Sequence, residues 1–143
     1  MSLWVLDTDH VSLFQQGHPL VNQRVNAVNL DEIAVTIITV EEQMYGRLNS
    51  IRRADSPDAL ISAYARLATT LNYFRTVNLL DFDQDAGNCY AQLVRQRVRI
   101  GTQDLRIAAI VISRNGILVT RNRQDFARVP SLKFEDWTIN ESS

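Results

Sequence analysis

The chain has 143 residues, of which 45% are hydrophobic and 22% are charged, and its formal net charge is -1. These values exclude a disordered polypeptide and a protein of several large domains. The net charge gives no sign of a nucleic-acid binder of the usual basic kind. Cys89 is the only cysteine, so an internal disulfide is excluded too, and we expect an inert thiol in a reducing compartment.

The sequence also lacks the patterns of export and membrane insertion. Residues 1–6 have no basic start of a secretory signal, and no apolar run approaches the ~20 residues needed to span a bilayer. We therefore expect a single domain over residues 1–143 that is soluble and cytoplasmic and has no membrane partner.

The first elements predict two strand and helix steps. Residues 3–6 are apolar and end at Asp7, which is typical of a strand buried on both faces at the centre of a parallel sheet. A helix is expected from about His10, a second helix over residues 19–29, and a strand over residues 33–36. This order is typical of a sheet built from crossover connections.

A helical hairpin is expected next. Thr39 begins a helix to about residue 49, and Ser56 and Pro57 provide the cap and first residue of a longer helix to Phe74. The later elements are predicted over residues 77–80 (strand), 84–96 (helix capped by Asp83), 102–115 (apolar helix stopped by Asn115-Gly116), 117–120 (strand), 122–127 (helical turn) and 132–134 (edge strand).

This alternation predicts an α/β fold with a mainly parallel sheet of four to five strands and helices on both faces. Asp7 and Asn122 follow strand ends, where ligands of such folds bind, and Glu42 and Asp104 fall in helix first turns that can face the same edge. Gathered carboxylates repel one another unless a cation joins them, and their oxygens suit Mg²⁺ or Mn²⁺. The pattern favours metal-dependent cleavage of a phosphodiester.

Structural explanations compete for each acid. Asp7 can cap the helix near His10, although Asp9 is better placed for that cap, and Thr39-x-x-Glu42 is a capping box. Asp104 gains from the dipole of the helix that it begins, but that helix is so apolar that an unpaired charge at its start is costly. Asp125 can cap the short turn that follows Asn122.

Four segments resemble a known family when taken in order. They are LDTDHVS at the first strand, Thr39-x-x-Glu42 followed by Tyr45-Gly46, Asp104 leading into IAAIV, and LVTRNRQDF with RVPSLKFEDW near the end. The chain resembles PIN-domain ribonucleases over nearly its whole length, in particular VapC-type toxins of toxin-antitoxin pairs. The resemblance implies a three-layer α/β/α PIN-like fold and a Mg²⁺- or Mn²⁺-dependent ribonuclease.

The resemblance also implies which residues form the site. The core acids correspond to Asp7, Glu42 and Asp104, and the fourth position falls on Asn122 or Asp125, directly or through a shared water. Supporting roles fall on Thr8, Thr39, Thr120, Asn122 and Arg121. Two departures stand out, because many members have Asp where this chain has Asn122, and Gln43 replaces the usual leucine.

The partners implied by the resemblance are an RNA substrate, a cognate antitoxin whose tail lies in the RNA groove, and a second copy of the chain. The homodimer is expected to form through residues 39–49 and 59–71 of the hairpin.

His10 is expected to be an exposed residue at a helix start.

Two other functions remain open at this point. Asp7-Thr8-Asp9-His10-Val11 satisfies the nucleophile motif of haloacid-dehalogenase-type phosphatases, in which Asp7 would be phosphorylated and Asp9 would act as acid and base. That chemistry needs a lysine near the site, and Lys133 is the only lysine of the chain. Asn122 keeps open a non-catalytic PIN-like module that binds RNA or protein.

Overall fold

A computed structural model describes residues 2–140. The elements in chain order are β1 (Trp4–Leu6), α1 (Thr8–Gln15), α2 (Pro19–Ala27), a 3₁₀ turn (Leu30–Glu32), β2 (Ile33–Thr36), α3 (Ile37–Arg53), α4 (Pro57–Phe74), β3 (Asn78–Leu80), α5 (Gln84–Arg95), α6 (Thr102–Ser113), β4 (Ile117–Val119), α7 (Arg123–Phe126) and β5 (Lys133–Glu135). Each strand predicted from the sequence is present, with ends that differ by one residue or less.

The five strands form one sheet in the order β3-β2-β1-β4-β5, and every neighbouring pair is parallel. The predictions of a central first strand and of an edge strand at the end are therefore confirmed. Successive strand residues point to opposite faces, so Val5 packs into one apolar cluster with α5 and α6, while Leu6 packs into the other with α1 and α2. These clusters give the predicted α/β/α layers.

Helix α6 is the most deeply buried helix on its face of the sheet. Its residues from Ile107 to Val111 are all at most 1% exposed, so the helix begins at solvent and runs into the core. Asn115 ends the connection with a positive φ of 54°, and a Cβ on Gly116 would lie 3.2 Å from the carbonyl oxygen of Leu3. The Asn-Gly stop signal therefore also lets β4 pair closely with β1.

The starts of two helices differ from the predictions. Helix α3 begins at Ile37 instead of Thr39, and Thr36 caps it by accepting the N–H of Thr39 at 3.2 Å. The capping box predicted between Thr39 and Glu42 is therefore wrong, because Thr39 already lies inside the helix. Helix α1 begins at Thr8 and is capped by Asp7, so the expectation that Asp9 is the cap is wrong as well.

The α3–α4 hairpin lies between β2 and β3 in the chain and exposes apolar side chains. Tyr45 is 73% exposed, Ile61 67% and Tyr64 54%, whereas α4 buries Ala63 and Thr70. Small residues thus face the rest of the protein, and larger ones face solvent. Between residues 2 and 140, no helix combines the length and the apolar character that crossing a membrane requires.

Candidate active site

A cleft of about 520 Å³ opens beyond the carboxyl ends of β1 and β4. It is lined by Asp7, Thr8, Asp9, Ser12, Glu42, Asp104, Arg121, Asn122 and Phe126. The three core acids expected from the sequence therefore share one cleft, together with Asn122. Their elements reach it from different directions, since β1 leads into it and α3 and α6 begin beside it.

Asp7 is held on one side and open on the other. Its N–H donates to the carbonyl of Val119 at 3.0 Å, which extends the pairing of β1 with β4 by one residue. Its Oδ1 accepts the N–H of His10 at 2.7 Å and lies 3.2 Å from Nδ1 of the same residue. Its Oδ2 makes no hydrogen bond with residues 2–140, and Asp7 is only 8% exposed. One oxygen is thus available for a ligand in the cleft.

His10 is fully buried, so the expectation of an exposed histidine is wrong. Its Nε2 accepts the N–H of Trp137 at 3.3 Å and lies 3.8 Å from Oδ1 of Asp136. Because Nε2 is the acceptor, a neutral ring carries its proton on Nδ1 and donates it to Asp7. The contact joins residues 127 positions apart, and no local pattern in the sequence indicates it.

Asp9 is paired with a predicted supporting residue. Arg121 donates from Nε and Nη2 to the two oxygens of Asp9, at 2.7 and 2.9 Å. The hydrogen bond and the charge of Asp9 raise the pKa of Arg121. Atoms of Asp7, Asp9 and His10 all lie within 4.8 Å of one another, the spacing of a metal site. Since both nitrogens of His10 and both oxygens of Asp9 have partners, Asp7 is the member of this group left open to an ion.

Glu42 reaches the cleft from α3 and is held by threonines. Thr8 Oγ1 donates to Oε1 of Glu42 at 2.6 Å, and Thr8 Oγ1 lies 3.1 Å from Oγ1 of the buried Thr39. The predicted supporting residues Thr8 and Thr39 thus join the start of α1 to α3. Oε2 of Glu42 makes no hydrogen bond with the described residues.

Asp104 has no such support. Its side chain makes no hydrogen bond or ion pair with residues 2–140, and Gly101, which caps α6, offers no side chain. Burial raises the pKa of Asp104 to about 6, with further contributions from the charges of Glu42, Asp7 and Asp125. Like charges and a poorly solvated site both disfavour the ionised form. Asp104 therefore lies where a cation would relieve the largest electrostatic cost.

The fourth position is built by the turn after β4. Asn122 lines the cleft and caps α7, and its Nδ2 donates to Oδ2 of Asp125 at 3.0 Å. The buried Thr120 accepts the N–H of Asn122 at 3.0 Å and fixes the turn. Asp125 does not line the cleft, although its charge is felt at Asp104. Asn122 faces the cleft and Asp125 holds it in place.

The donor set fits a hard divalent cation. Asp7, Glu42 and Asp104 each have a carboxylate oxygen without a hydrogen-bond donor among residues 2–140, and the one cation on this cleft, Arg121, is already paired with Asp9. Oxygen ligands with uncompensated negative charge are what Mg²⁺ and Mn²⁺ prefer. The arrangement can bind such an ion and bring it to an anionic substrate.

Known proteins similar to this chain include VapC nucleases. The tRNA(fMet)-specific endonuclease VapC of Salmonella typhimurium is 28% identical over 142 residues, covering 96% of this chain and 99% of the relative. Ribonuclease VapC2 of Haemophilus influenzae is 30% identical over 142 residues, with coverage of 96% and 99%. The sequence matches no protein-family model.

The fold comparison agrees with the sequence comparison. The crystal structure of DNA-bound VapBC from Salmonella typhimurium superposes with a TM-score of 0.76 at 26% identity and covers 96% of this chain and 99% of that chain. VapBC-5 of Mycobacterium tuberculosis gives a TM-score of 0.59 at 26% identity. Full-length similarity at this level, with the same parallel sheet, shows that the chain belongs to the VapC family of ribonucleases.

Proposed function

We propose that this protein is a Mg²⁺- or Mn²⁺-dependent endoribonuclease that hydrolyses phosphodiester bonds of RNA, and that it is the toxin of a toxin-antitoxin pair. The observation that carries the metal dependence is Asp104, a half-buried carboxylate without a partner among residues 2–140, whose pKa is raised to about 6 by burial and by three neighbouring acids. Such a group is stabilised when a divalent ion binds.

The ion would be held by Asp7, Asp104 and Glu42, with Asn122 and Asp125 at the fourth position. When bound, it supplies a Lewis acid for a phosphate oxygen and lowers the pKa of a coordinated water towards neutrality. The remaining residues position this set. His10 fixes Oδ1 of Asp7 and leaves Oδ2 to the cleft, and Thr8 fixes Oε1 of Glu42 and leaves Oε2.

The substrate follows from the shape and charge of the cleft. A scissile phosphate must enter a recess lined by acids, which a single-stranded segment or a loop of folded RNA can do more easily than a regular duplex. Asp9 and Arg121 also line the cleft, and their ion pair compensates the charge of the arginine.

The phosphatase alternative finds no support in this geometry. Asp7 is buried and caps α1, Asp9 is tied to Arg121, and Lys133 begins the edge strand β5 and does not line the cleft. A phosphorylated aspartate with a free acid partner and a lysine is therefore not assembled here.

Cleavage of a mixed pool of single-stranded RNA, with Mn²⁺ or with EDTA, tests the proposal. Wild-type protein should cut RNA only with metal, and Asp7→Asn should be inactive. Release of phosphate from a small phosphoester without RNA cleavage would point to a phosphatase. RNA binding without cleavage under every metal condition would point to the non-catalytic module.

An antitoxin is the proposed protein partner. The similar structure from Salmonella typhimurium is a VapBC complex, and an extended antitoxin tail with a basic side chain would complement the unpaired carboxylates of this cleft. Co-expression with the product of an adjacent gene should yield a complex that no longer cleaves RNA. A complex with undiminished cleavage would contradict inhibition at this cleft.

A homodimer through the α3–α4 hairpin is proposed as well. The exposed residues Tyr45, Leu48, Leu60, Ile61, Tyr64 and Leu71 place much apolar surface in water on these two helices. Monomeric soluble proteins rarely expose such surface, and its presence usually marks a contact with a partner. Light scattering after size exclusion at micromolar concentration should give twice the mass of the chain, and a strictly monomeric mass would overturn the homodimer.

A further inference from the structure

A second pocket, of about 230 Å³, adjoins the acidic cleft where α1, α3 and α4 meet. It is lined by Ser12, Gln15, Gln16, Arg47, Arg66, Thr69 and Thr70. Every one of these side chains is polar, two are cationic and none is acidic. We call it the arginine pocket.

The two arginines of this pocket have no counter-charge within the described part of the chain. Arg47 donates from Nε to Oγ1 of Thr70 at 3.0 Å, and Thr70 is oriented by donating to the carbonyl of Arg66 at 2.8 Å. Neither guanidinium forms an ion pair with residues 2–140. Burial, together with the like charge of Arg66, lowers the pKa of Arg47. An anion would relieve this repulsion, as a cation would in the acidic cleft.

The wall between the two pockets is a partly buried hydrogen-bond network. Ser12 lines both pockets and accepts from Nε2 of Gln43 at 3.2 Å. Gln43 also exchanges hydrogen bonds with Gln15 at 3.2 and 3.3 Å, and it is only 5% exposed. The glutamine that departs from the usual leucine thus fixes α1 against α3. The arginine pocket is thereby held at a constant position relative to the cleft.

The position of the pocket suits a chain of phosphates. Arg47 lies five residues after Glu42 on α3, which corresponds to about 7.5 Å along the helix axis. The acidic cleft itself repels a polyanion, so binding energy for RNA has to come from cations beside it. Arg121 is paired with Asp9, whereas Arg47 and Arg66 have no acidic partner among residues 2–140.

We propose that Arg47 and Arg66 form a second phosphate subsite, which binds a backbone phosphate of single-stranded RNA other than the one being cleaved. The proposal rests on the proposed ribonuclease function. Guanidinium groups bind phosphate oxygens through paired hydrogen bonds, and both arginines line this pocket. The subsite contributes affinity for the substrate and takes no part in bond cleavage.

Binding measured without catalysis tests the subsite. Fluorescence anisotropy in EDTA, with a labelled pool of short single-stranded oligoribonucleotides, should give a Kd about tenfold higher for Arg47→Gln and for Arg66→Gln than for wild type. Each change should reduce the slope of log Kd against log salt by about 0.7. Arg52→Gln, an exposed site on α3 outside the pocket, is the matched control and should alter neither value.

Cleavage with Mn²⁺ then separates binding from chemistry. Both arginine variants should raise KM by about the same factor and leave kcat unchanged. Arg66 is exposed and makes no side-chain bond with residues 2–140, so its variant reports on the pocket even if Arg47→Gln is poorly folded. Equal RNA binding by Arg66→Gln, Arg52→Gln and wild type would overturn the subsite.

Binding of a different class of anion and failure of the nuclease proposal would give different experimental results. A polyglutamate peptide that binds wild type as tightly as RNA, with the same loss in Arg66→Gln, would overturn the assignment to phosphate. RNA that binds through Arg47 and Arg66 but is never cut by wild type would leave the subsite standing and remove the ribonuclease activity.

Discussion

Asp9 and Asp104 are the same residue type, each lies in the first turn of its helix, and both line one cleft. Asp9 accepts from two nitrogens of Arg121, Nε and Nη2, at 2.7 and 2.9 Å. Asp104 has no donor among residues 2–140, and its pKa is raised to about 6 by burial and by Glu42, Asp7 and Asp125. One acid is satisfied by the protein and the other is left for a ligand.

The presence or absence of a partner distinguishes a supporting carboxylate from a functional one, although both residues are acidic. A carboxylate with a bidentate arginine has its electrostatic needs met within the fold, whereas an unpartnered, half-buried carboxylate raises the free energy of the folded state until a cation arrives. Folded proteins retain such a destabilising group where ligand binding offsets its free-energy cost. Asp104, in the first turn of α6, is therefore the acid that we expect to gain most from the proposed metal ion.

The largest expected effect is on catalysis. Asp104→Asn should lower the rate of RNA cleavage with Mn²⁺ by about a thousandfold, because several kcal/mol of metal-dependent stabilisation of the transition state is lost. Asp9→Asn, the matched change at the paired acid of the same cleft, should lower it by less than about tenfold. Similar losses in single-turnover assays would remove the distinction between the paired and the unpaired acid.

Glu42 and Glu41 of α3 provide a second comparison between an acid of the cleft and a supporting acid. Glu42→Gln should reduce the rate of RNA cleavage at least about tenfold, because it removes the negative charge. Thr8 can still donate to the new amide oxygen, so the hydrogen bond is kept. Glu41, an exposed residue that accepts from Gln103 at 2.9 Å, should tolerate the change to Gln with little loss. Initial rates of the two variants provide the measurement, and the reverse ranking would move the site by one residue.

Metal should stabilise the protein in a pH-dependent manner. Because the folded-state pKa of Asp104 is raised to about 6 from 3.8, the metal-free fold binds this proton more tightly than the unfolded chain does. Its contribution to stability is present below about pH 4 and is lost as the pH rises through about 6. Mn²⁺ competes with this proton, so the Tm in Mn²⁺ minus the Tm in EDTA should grow over that window, to roughly 4 °C.

Thermal scans between pH 4 and pH 8 measure this difference. Asp104→Asn is the control, since it removes the titrating group and should flatten the pH dependence. A Tm that is independent of millimolar metal at every pH would argue against a shared site.

The smallest expected effects have opposite signs. In EDTA at pH 7, Asp104→Asn should raise the free energy of unfolding by up to about 1 kcal/mol, because it removes an uncompensated charge. Asp9→Asn should lower it by less than about 1 kcal/mol, the value of an exposed ion pair. Urea denaturation resolves the two, and destabilisation by Asp104→Asn would show that its carboxylate already has a partner.

Sequence periodicity predicted the strands, the parallel sheet and the edge at which Asp7 and Asn122 lie, because strand ends and crossovers leave strong local patterns. It failed at Thr39 because a capping box can be read wherever Thr and Glu are three apart, while the fold places the cap at Thr36. Periodicity also does not say whether the apolar side chains of a helix such as α4 face the core or solvent.

Pairings between distant residues were beyond local patterns. Asp9 with Arg121 and His10 with Trp137 join residues 112 and 127 positions apart, and neither pair has a characteristic spacing. The resemblance to a family located the acids, but what holds each acid depends on packing that only the fold specifies. The Arg47 and Arg66 pocket falls in the same class, since three helices meet to form it.

The bond between Trp137 and His10 has a consequence for the order of events on the ribosome. Synthesis proceeds from the amino terminus, so Asp7 and His10 emerge long before the residue that fixes the imidazole. Until Trp137 is added, Nε2 of His10 lacks its backbone donor, although the N–H of His10 can already bind Asp7. The imidazole can therefore be fixed only after all five strands have been synthesised, which places the completion of the proposed nuclease site after the synthesis of the sheet.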